Sequence, residues 1–268
     1  MGQIPCFVVN LATAVERRRA MEALLNRHGI RPTWFNAVDG RVMSDDAIAR
    51  CFDARRADIA YGPMSRGEIG TSLSHLEIYR NMVEQGVPCA VILEDDVLLA
   101  DDFHALLEPD GAQSLAATFA PEDPVMVQMT HVARGFRQGA IALGSRQIVR
   151  PHGGVWLTSG YFLTLAAARN LLRAMYPVWM VADHWRYFER EGLLRVYALT
   201  PNAVWESQLS QVSDIAPERR ARRKDKKTVV DRLRRILDTT LVRPLLVREL
   251  PHFRGSADAR SRGDARGG

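Results

Sequence analysis

The segment AVILEDDVLLADDF, residues 90–103, constrains the fold of this chain more than any other stretch. An apolar run, Ala90 to Leu93, drives into three consecutive acids, Glu94, Asp95 and Asp96, and apolar residues resume at Val97. A short unbroken apolar run is what a fully buried strand presents. Acids do not belong inside such a strand, so they mark its end. Two readings of the triplet stay open on these residues alone. One is a turn or helix cap with solvated acids. The other is a site for a hard divalent cation, which takes clustered carboxylate oxygens. Three like charges beside a core repel one another unless a cation or a base compensates them.

The surroundings supply the architecture. CFVVNL (6–11) reads as a buried strand, TAVERRRAMEALLNRHG as a helix, and PTWFNAVDG (32–40) as a second strand ending in a turn. Thr13 and Glu16 have the spacing of a capping box, Val15, Met21, Leu24 and Leu25 form the apolar stripe, and Gly29 is the stop. Strand, helix and strand in about 35 residues make a βαβ unit with a parallel sheet. One or two helices are expected over 41–65, and a loop then a helix over 65–87, with Ser72, Ser74 and His75 at the helix opening. Asp101 or Asp102 is expected to cap a helix after the acidic strand. Strands are expected at 125–133, 147–151 and 194–201, and GGVWLTSGYFLTLAAARNLLRAMYP reads as a strand with an internal Gly followed by an Ala- and Leu-rich helix. The expected fold class is α/β, a single domain over 1–215 with a mostly parallel central sheet. Open sheets of this kind bind ligands beyond the carboxyl ends of their strands, where the acids sit.

Charge divides the chain. From Glu218 to Gly268 there are 16 Lys and Arg against 7 Asp and Glu, a net of +9, whereas the preceding residues carry a net of −4. Residues 216–268 are therefore read as a separate tail: a basic linker, APERRARRKDKK, then an amphipathic helix over TVVDRLRRILDTTLVRPLLVREL, then a disordered end. Val229, Val230, Leu233, Ile236, Leu237 and Leu241 form the helix's apolar stripe, with a break or kink at Pro244. Basic residues beside an apolar stripe suit an anionic membrane surface. The tail lacks the interleaved aromatics that stack on bases, so no nucleic-acid partner is expected. Three scattered cysteines, Cys6, Cys51 and Cys89, have no metal-ligand spacing and fit a reducing compartment. No signal segment is read at the N-terminus, so the expected location is cytoplasmic, peripheral on the inner face of the cytoplasmic membrane.

Five blocks in order resemble glycosyltransferase family 25, the lipo-oligosaccharide biosynthesis transferases. They are VVNLATAVERRR, FNAVDGR, GEIGTSLSHLEIYRNMVEQGVPCAVILEDDVLL, SGYFLTLAAARNLL, and the late acidic pair VADHW and VSDI. The resemblance covers about residues 4–215. It implies a GT-A-like nucleotide-sugar fold, a UDP-sugar donor (UDP-galactose), a lipid-linked oligosaccharide acceptor, Mn²⁺ or Mg²⁺, and inversion at the anomeric carbon. On that footing Asp96 ligates the metal and Glu94 meets ribose or the metal. Asn10, Leu11, Arg17, Asp39, Gly40, Ser74, His75 and Asp95 frame the nucleotide sugar, and Gln208 contacts the sugar. Asp183 is the first choice for the base, Glu206 the reserve, and His184 a third metal ligand. The region 105–150 matches the family poorly, and acceptor specificity is expected there.

Overall fold

The computed structural model describes residues 3–110, 113–207 and 238–252. The elements run in chain order β1 (Cys6–Asn10), α1 (Val15–Arg27), β2 (Thr33–Asn36), α2 (Asp45–Cys51), α3 (Ala54–Ala60), α4 (Arg66–Glu84), β3 (Cys89–Glu94) and β4 (Val97–Leu99). They continue with α5 (Leu115–Thr118), β5 (Val125–Gln128), β6 (Arg134–Phe136), β7 (Ile141–Leu143), β8 (Arg146–Val149) and β9 (Gly160–Thr164). The last are α6 (Leu165–Met175), α7 (Trp185–Arg190), β10 (Arg195–Thr200), β11 (Val204–Glu206) and β12 (Val247–Glu249).

An eight-stranded sheet of order β2-β1-β3-β9-β5-β10-β8-β7 forms the centre. Six of its strands point the same way, and β9 and β8 run against them. The unbroken apolar run that opened the sequence is explained by two cores, one on each face. Ala90 and Ile92 belong to the core shared with α4 and α6. Val91 and Leu93 belong to the opposite core, with Met21, Leu24 and Leu25 of α1 and with Phe103 and Leu106. A strand that feeds both faces has no polar side to alternate with. Each fully buried Val, Leu and Ile among them contributes about 1.5–3 kcal/mol of transfer free energy.

Several local expectations change. The helix α1 starts from a turn, Ala14 N–H to Leu11 O at 2.8 Å, and its cap Ala14 has no side-chain bond, so Thr13 and Glu16 form no capping box. The capping box is at Ser65 and Glu68 instead, one block later. That places the start of α4 at Arg66, and Ser72, Ser74 and His75 lie inside the helix, where its N–H groups are already used. They do not form an anion-binding helix end. Val15 is exposed and leaves the stripe of α1 to Met21, Leu24 and Leu25. Asp102 precedes a short 3-10 turn, Phe103–Leu106, without capping it, because its carboxylate pairs with Arg146. The stretch 88–99 reads as one strand in sequence, but the turn at Asp95 and Asp96 divides it into β3 and β4; β6, β7, β11 and β12, with three residues each, are too short to show a period.

The tail also differs. Helical turns cover Asp238–Val242 and Arg243–Leu246, the second with Pro244 near its start, and Val247–Glu249 is a strand antiparallel to β6. Leu250 enters the core, and His152 Nε2 meets Asp238 at 2.6 Å. The stripe from Val229 to Leu237, the basic linker and the C-terminal end lie outside the described residues, as does Gln208. No helix among the described residues is long and apolar enough to cross a membrane.

Candidate functional site

Four chain segments meet beyond the carboxyl end of β3. Parallel pairing sets Val9 of β1 against Glu94, so Asn10 and Leu11 emerge beside the acids. Antiparallel pairing sets Gly160 of β9 against Leu93, so Thr158 and Ser159 flank Glu94 from the other side, and Glu94 N–H donates to Ser159 O at 3.0 Å. Asp95 and Asp96 form the tight turn into β4. The partner of β4 is β11, whose Glu206 sits opposite Val97, and Ser207 N–H donates to Asp96 O at 2.8 Å. The cleft between these segments has a volume of about 410 Å³. Its wall includes Leu11, Arg17, Asp39, Gly40, Ser74, His75, the three acids, Asp183 and Glu206, residues spread over most of the domain.

The three acids have different surroundings and hence different chemistry. Glu94 accepts from Thr158 Oγ1 at 2.5 Å, and its Oε1 lies 3.7 Å from His75 Nε2. Burial alone pushes its carboxyl up, but the His75 and Thr158 donors and the Arg17 charge outweigh it and hold Glu94 below its ordinary value. Asp95 is 8% exposed and turned inward: Asn10 Nδ2 donates to its Oδ2 at 2.5 Å, and Arg17 Nε is 3.5 Å away. Burial raises its pKa, with Asn10 and Arg17 opposing. Asp96 receives least help. Burial first, then the charges of Glu94 and Asp95, push it up to about 7, and its Oδ1 is buried without a hydrogen-bond partner. An orphaned carboxylate oxygen among like charges fits a divalent cation. Among the described residues no three His, Cys, Asp or Glu side chains converge tightly enough to hold an ion by themselves. The donor set is that of a cation held by one or two carboxylates and completed by diphosphate oxygens and water.

Other predicted residues act at one remove. Ser74 Oγ accepts from Val38 N–H and donates to Gly70 O, both at 2.8 Å, tying the 37–40 loop to α4. The contact is backbone on backbone: a Cβ on Gly40 would lie 1.8 Å from Arg66 O, and one on Gly70 2.4 Å from Val38 O. Asp39, placed at the cleft by this contact, is held below its usual range first by the Arg41 side chain. His75 is 1% exposed, and its Nδ1 meets Tyr161 OH, which meets Tyr79 OH, each at 2.8 Å. The other ring nitrogen, Nε2, faces Glu94. Tyr161, Tyr79, Thr158 and Ser159 carry no site signal in the sequence beyond the Gly160-Tyr161 pair. Their polar atoms act across the sheet, which sequence spacing does not reveal.

On the far wall, Asp183 Oδ2 accepts from Leu157 N–H at 3.5 Å, and Glu206 Oε1 accepts from Ser159 Oγ at 3.4 Å. His184 is placed differently. Its ring lies 4.7 Å from that of Trp156 and near Tyr61 and Tyr187, outside the wall that carries the acids.

Residues 3–185 match the family described as Glycosyltransferase family 25 (LPS biosynthesis protein). The chain is 29% identical over 187 residues to the Bos taurus protein named "Probable inactive glycosyltransferase 25 family member 3", covering 66% of this chain and 31% of that one. It is 26% identical over 200 residues to the Neisseria meningitidis "Lacto-N-neotetraose biosynthesis glycosyltransferase LgtB", covering 69% and 70%. It is 26% identical over 183 residues to the Danio rerio "Procollagen galactosyltransferase 1", covering 65% and 29%. The chain thus spans under a third of the length of these two animal relatives and about two thirds of the bacterial one.

Proposed function

Because the chain belongs to glycosyltransferase family 25, we propose that it is an inverting, metal-dependent hexosyltransferase that moves galactose from UDP-galactose to a lipid-linked oligosaccharide in lipopolysaccharide or lipo-oligosaccharide synthesis. The observation that carries this reading is the graded acid triplet at the end of β3, with Asp96 orphaned in a cleft that also holds Arg17, Asp183 and Glu206. The lipo-oligosaccharide acceptor is supported by the family description and the LgtB relative, and galactose by the procollagen galactosyltransferase.

In this mechanism Glu94 and Asp96 would hold Mn²⁺ or Mg²⁺ when it is bound. A divalent cation there neutralises charge on the diphosphate. Arg17 presents a guanidinium to the same diphosphate, while Leu11, Asp39 and Gly40 frame the nucleoside. Asp183 takes the proton from an acceptor hydroxyl as its oxygen bonds to the anomeric carbon. The bond from that carbon to the diphosphate oxygen breaks, UDP leaves with the electron pair, and the configuration inverts.

The test is turnover of a UDP-sugar panel with Mn²⁺ or EDTA, with lipo-oligosaccharide as acceptor. Mn²⁺-dependent release of UDP from UDP-galactose and a product of inverted configuration are expected. No turnover of any UDP-sugar would favour a second reading, a nucleotide-sugar-binding protein without catalysis, of the kind the bovine relative's name describes. The acids of the triplet, Asp183 and Glu206 are all present here, which favours the active reading.

The basic segment 219–227 further supports peripheral attachment to an anionic membrane from the cytoplasmic side. Replacing its Lys and Arg by Gln should release the protein from phosphatidylglycerol vesicles. Unchanged co-sedimentation would reject the attachment.

A further inference from the structure

The acceptor side of the cleft carries a feature the proposed chemistry leaves unused. Leu157 lines the cleft and is 37% exposed, and its neighbour Trp156, 41% exposed, stands next to it in the chain. A Trp left this open beside a polar cleft is apolar surface that folding did not cover.

The indole is held in place rather than loose. His184 lies against it at 4.7 Å between ring centroids, which gives that otherwise remote ring a role as a backing. Gly154 leaves room for it: a Cβ there would stand 2.6 Å from Trp156 Nε1. Leu157 has φ +78°, a left-handed conformation that a branched side chain adopts only under strain. The strain is held by Leu157 O, which accepts from Trp185 Nε1 at 2.9 Å and Gln128 Nε2 at 3.4 Å. The next two residues, Thr158 and Ser159, hydrogen-bond to Glu94 and Glu206, and Leu157 N–H reaches Asp183. The four residues 156–159 therefore tie an exposed aromatic face to the acids on both sides of the cleft.

A pyranose ring presents an apolar face of C–H bonds and a rim of hydroxyls. It needs a flat apolar surface next to hydrogen-bonding acids, and Trp supplies a large rigid one at low entropic cost. We propose that Trp156 is the platform on which the acceptor's terminal pyranose stacks, with the Leu157 backbone positioning the indole so that an acceptor hydroxyl meets Asp183. The inference rests on the transferase reading and extends it to a specificity residue. It moves the acceptor contact from the poorly matching 105–150 region to the segment just after it.

Two measurements test it. The first is steady-state kinetics with UDP-galactose and lipo-oligosaccharide, alongside acceptor-free hydrolysis of UDP-galactose. Trp156→Ala should raise the acceptor KM about tenfold or more, and leave donor KM and acceptor-free hydrolysis within about twofold. Trp156→Phe should recover most of the loss. Gly154→Ala, which displaces the indole without removing it, should raise acceptor KM as well. An unchanged acceptor KM in Trp156→Ala, or an equal loss in acceptor-free hydrolysis, overturns the proposal. The second measurement is the Trp156 indole N–H resonance, identified by its absence in Trp156→Phe, on titration with lactose and methyl β-glucoside in the presence of UDP and Mn²⁺. A saturable shift is expected, and no shift with either sugar counts against the platform. A shift in a protein without any turnover would keep the platform and reject the transferase. Turnover with no effect of Trp156 would do the reverse.

Discussion

The two walls of the cleft are built on different principles. The wall carrying Leu11, Arg17 and the acid triplet, braced from behind by Asn10, stands on the ends of adjacent parallel strands, and its residues are close in sequence to strong strand and helix signals. The opposite wall, residues 157–159 with Asp183 and Glu206, is made of connections and of a three-residue strand, β11. The first wall is charged, buried and cross-braced. The second is more open, with a strained residue and an exposed aromatic. Charge that must meet a diphosphate and a cation gains from preorganisation in a low-dielectric setting. A surface that must accept one glycan and release a longer one gains from openness.

The sharpest way to break this comparison is at Asp96. Asp96→Asn keeps the shape and removes the charge, so transfer should fall by about a thousandfold or more, with Mn²⁺-dependent UDP binding lost in calorimetry. Near-wild-type activity would dissolve the distinction between the walls. On the other wall, Asp183→Asn should lower kcat by about 10²–10⁴ with donor KM little changed, whereas Glu206→Gln should cost less than tenfold. A larger loss at Glu206 would transfer the base to it.

The next effect concerns pH in metal-free protein. Asp96 is pushed up to about 7 from 3.8, so the folded state binds this proton more tightly than the unfolded chain does. Its contribution to stability is therefore most favourable below pH 4, falls as pH rises to about 7, and is flat above. The stability of Asp96→Asn relative to wild type should grow over that window by on the order of a few kcal/mol in urea titrations with EDTA present. A difference constant from pH 4 to 8 would show that Asp96 is better solvated than its surroundings indicate. The smallest effect is structural. Asn10→Ala removes a donor from buried Asp95 and should cost about 1–3 kcal/mol in the same assay, with acceptor KM unaffected.

Much of the first wall was legible in the sequence. The apolar run Ala90–Leu93, the strand Cys6–Asn10 and the acids between them carry their own period and charge. Even there the roles were not separable. Nothing in EDD says that Asp95 turns inward to Asn10 while Asp96 is left orphaned, because that depends on a residue 85 positions away. The reversed direction of β9, the strand β11 and the return of β12 to β6 were hidden, since three- and five-residue segments carry no directional signal. Three Ser/Thr-x-x-Glu patterns exist, Thr13–Glu16, Ser65–Glu68 and Ser74–Glu77, and only packing selects the one at Ser65 as a capping box.

The sequence by itself determined that this chain makes an α/β sheet with a burst of negative charge at the end of its most buried strand, since burial and periodicity are local properties that each strand carries alone. Only the tertiary structure decided what that charge faces. Sheet order brings Arg17, Thr158, Asp183 and Glu206 to one cleft from four distant segments, and the packing of Gly40 against Arg66 and Gly70 places Asp39 at its edge. Distances between residues far apart in the chain follow from which faces bury together, and that is a property of the whole fold.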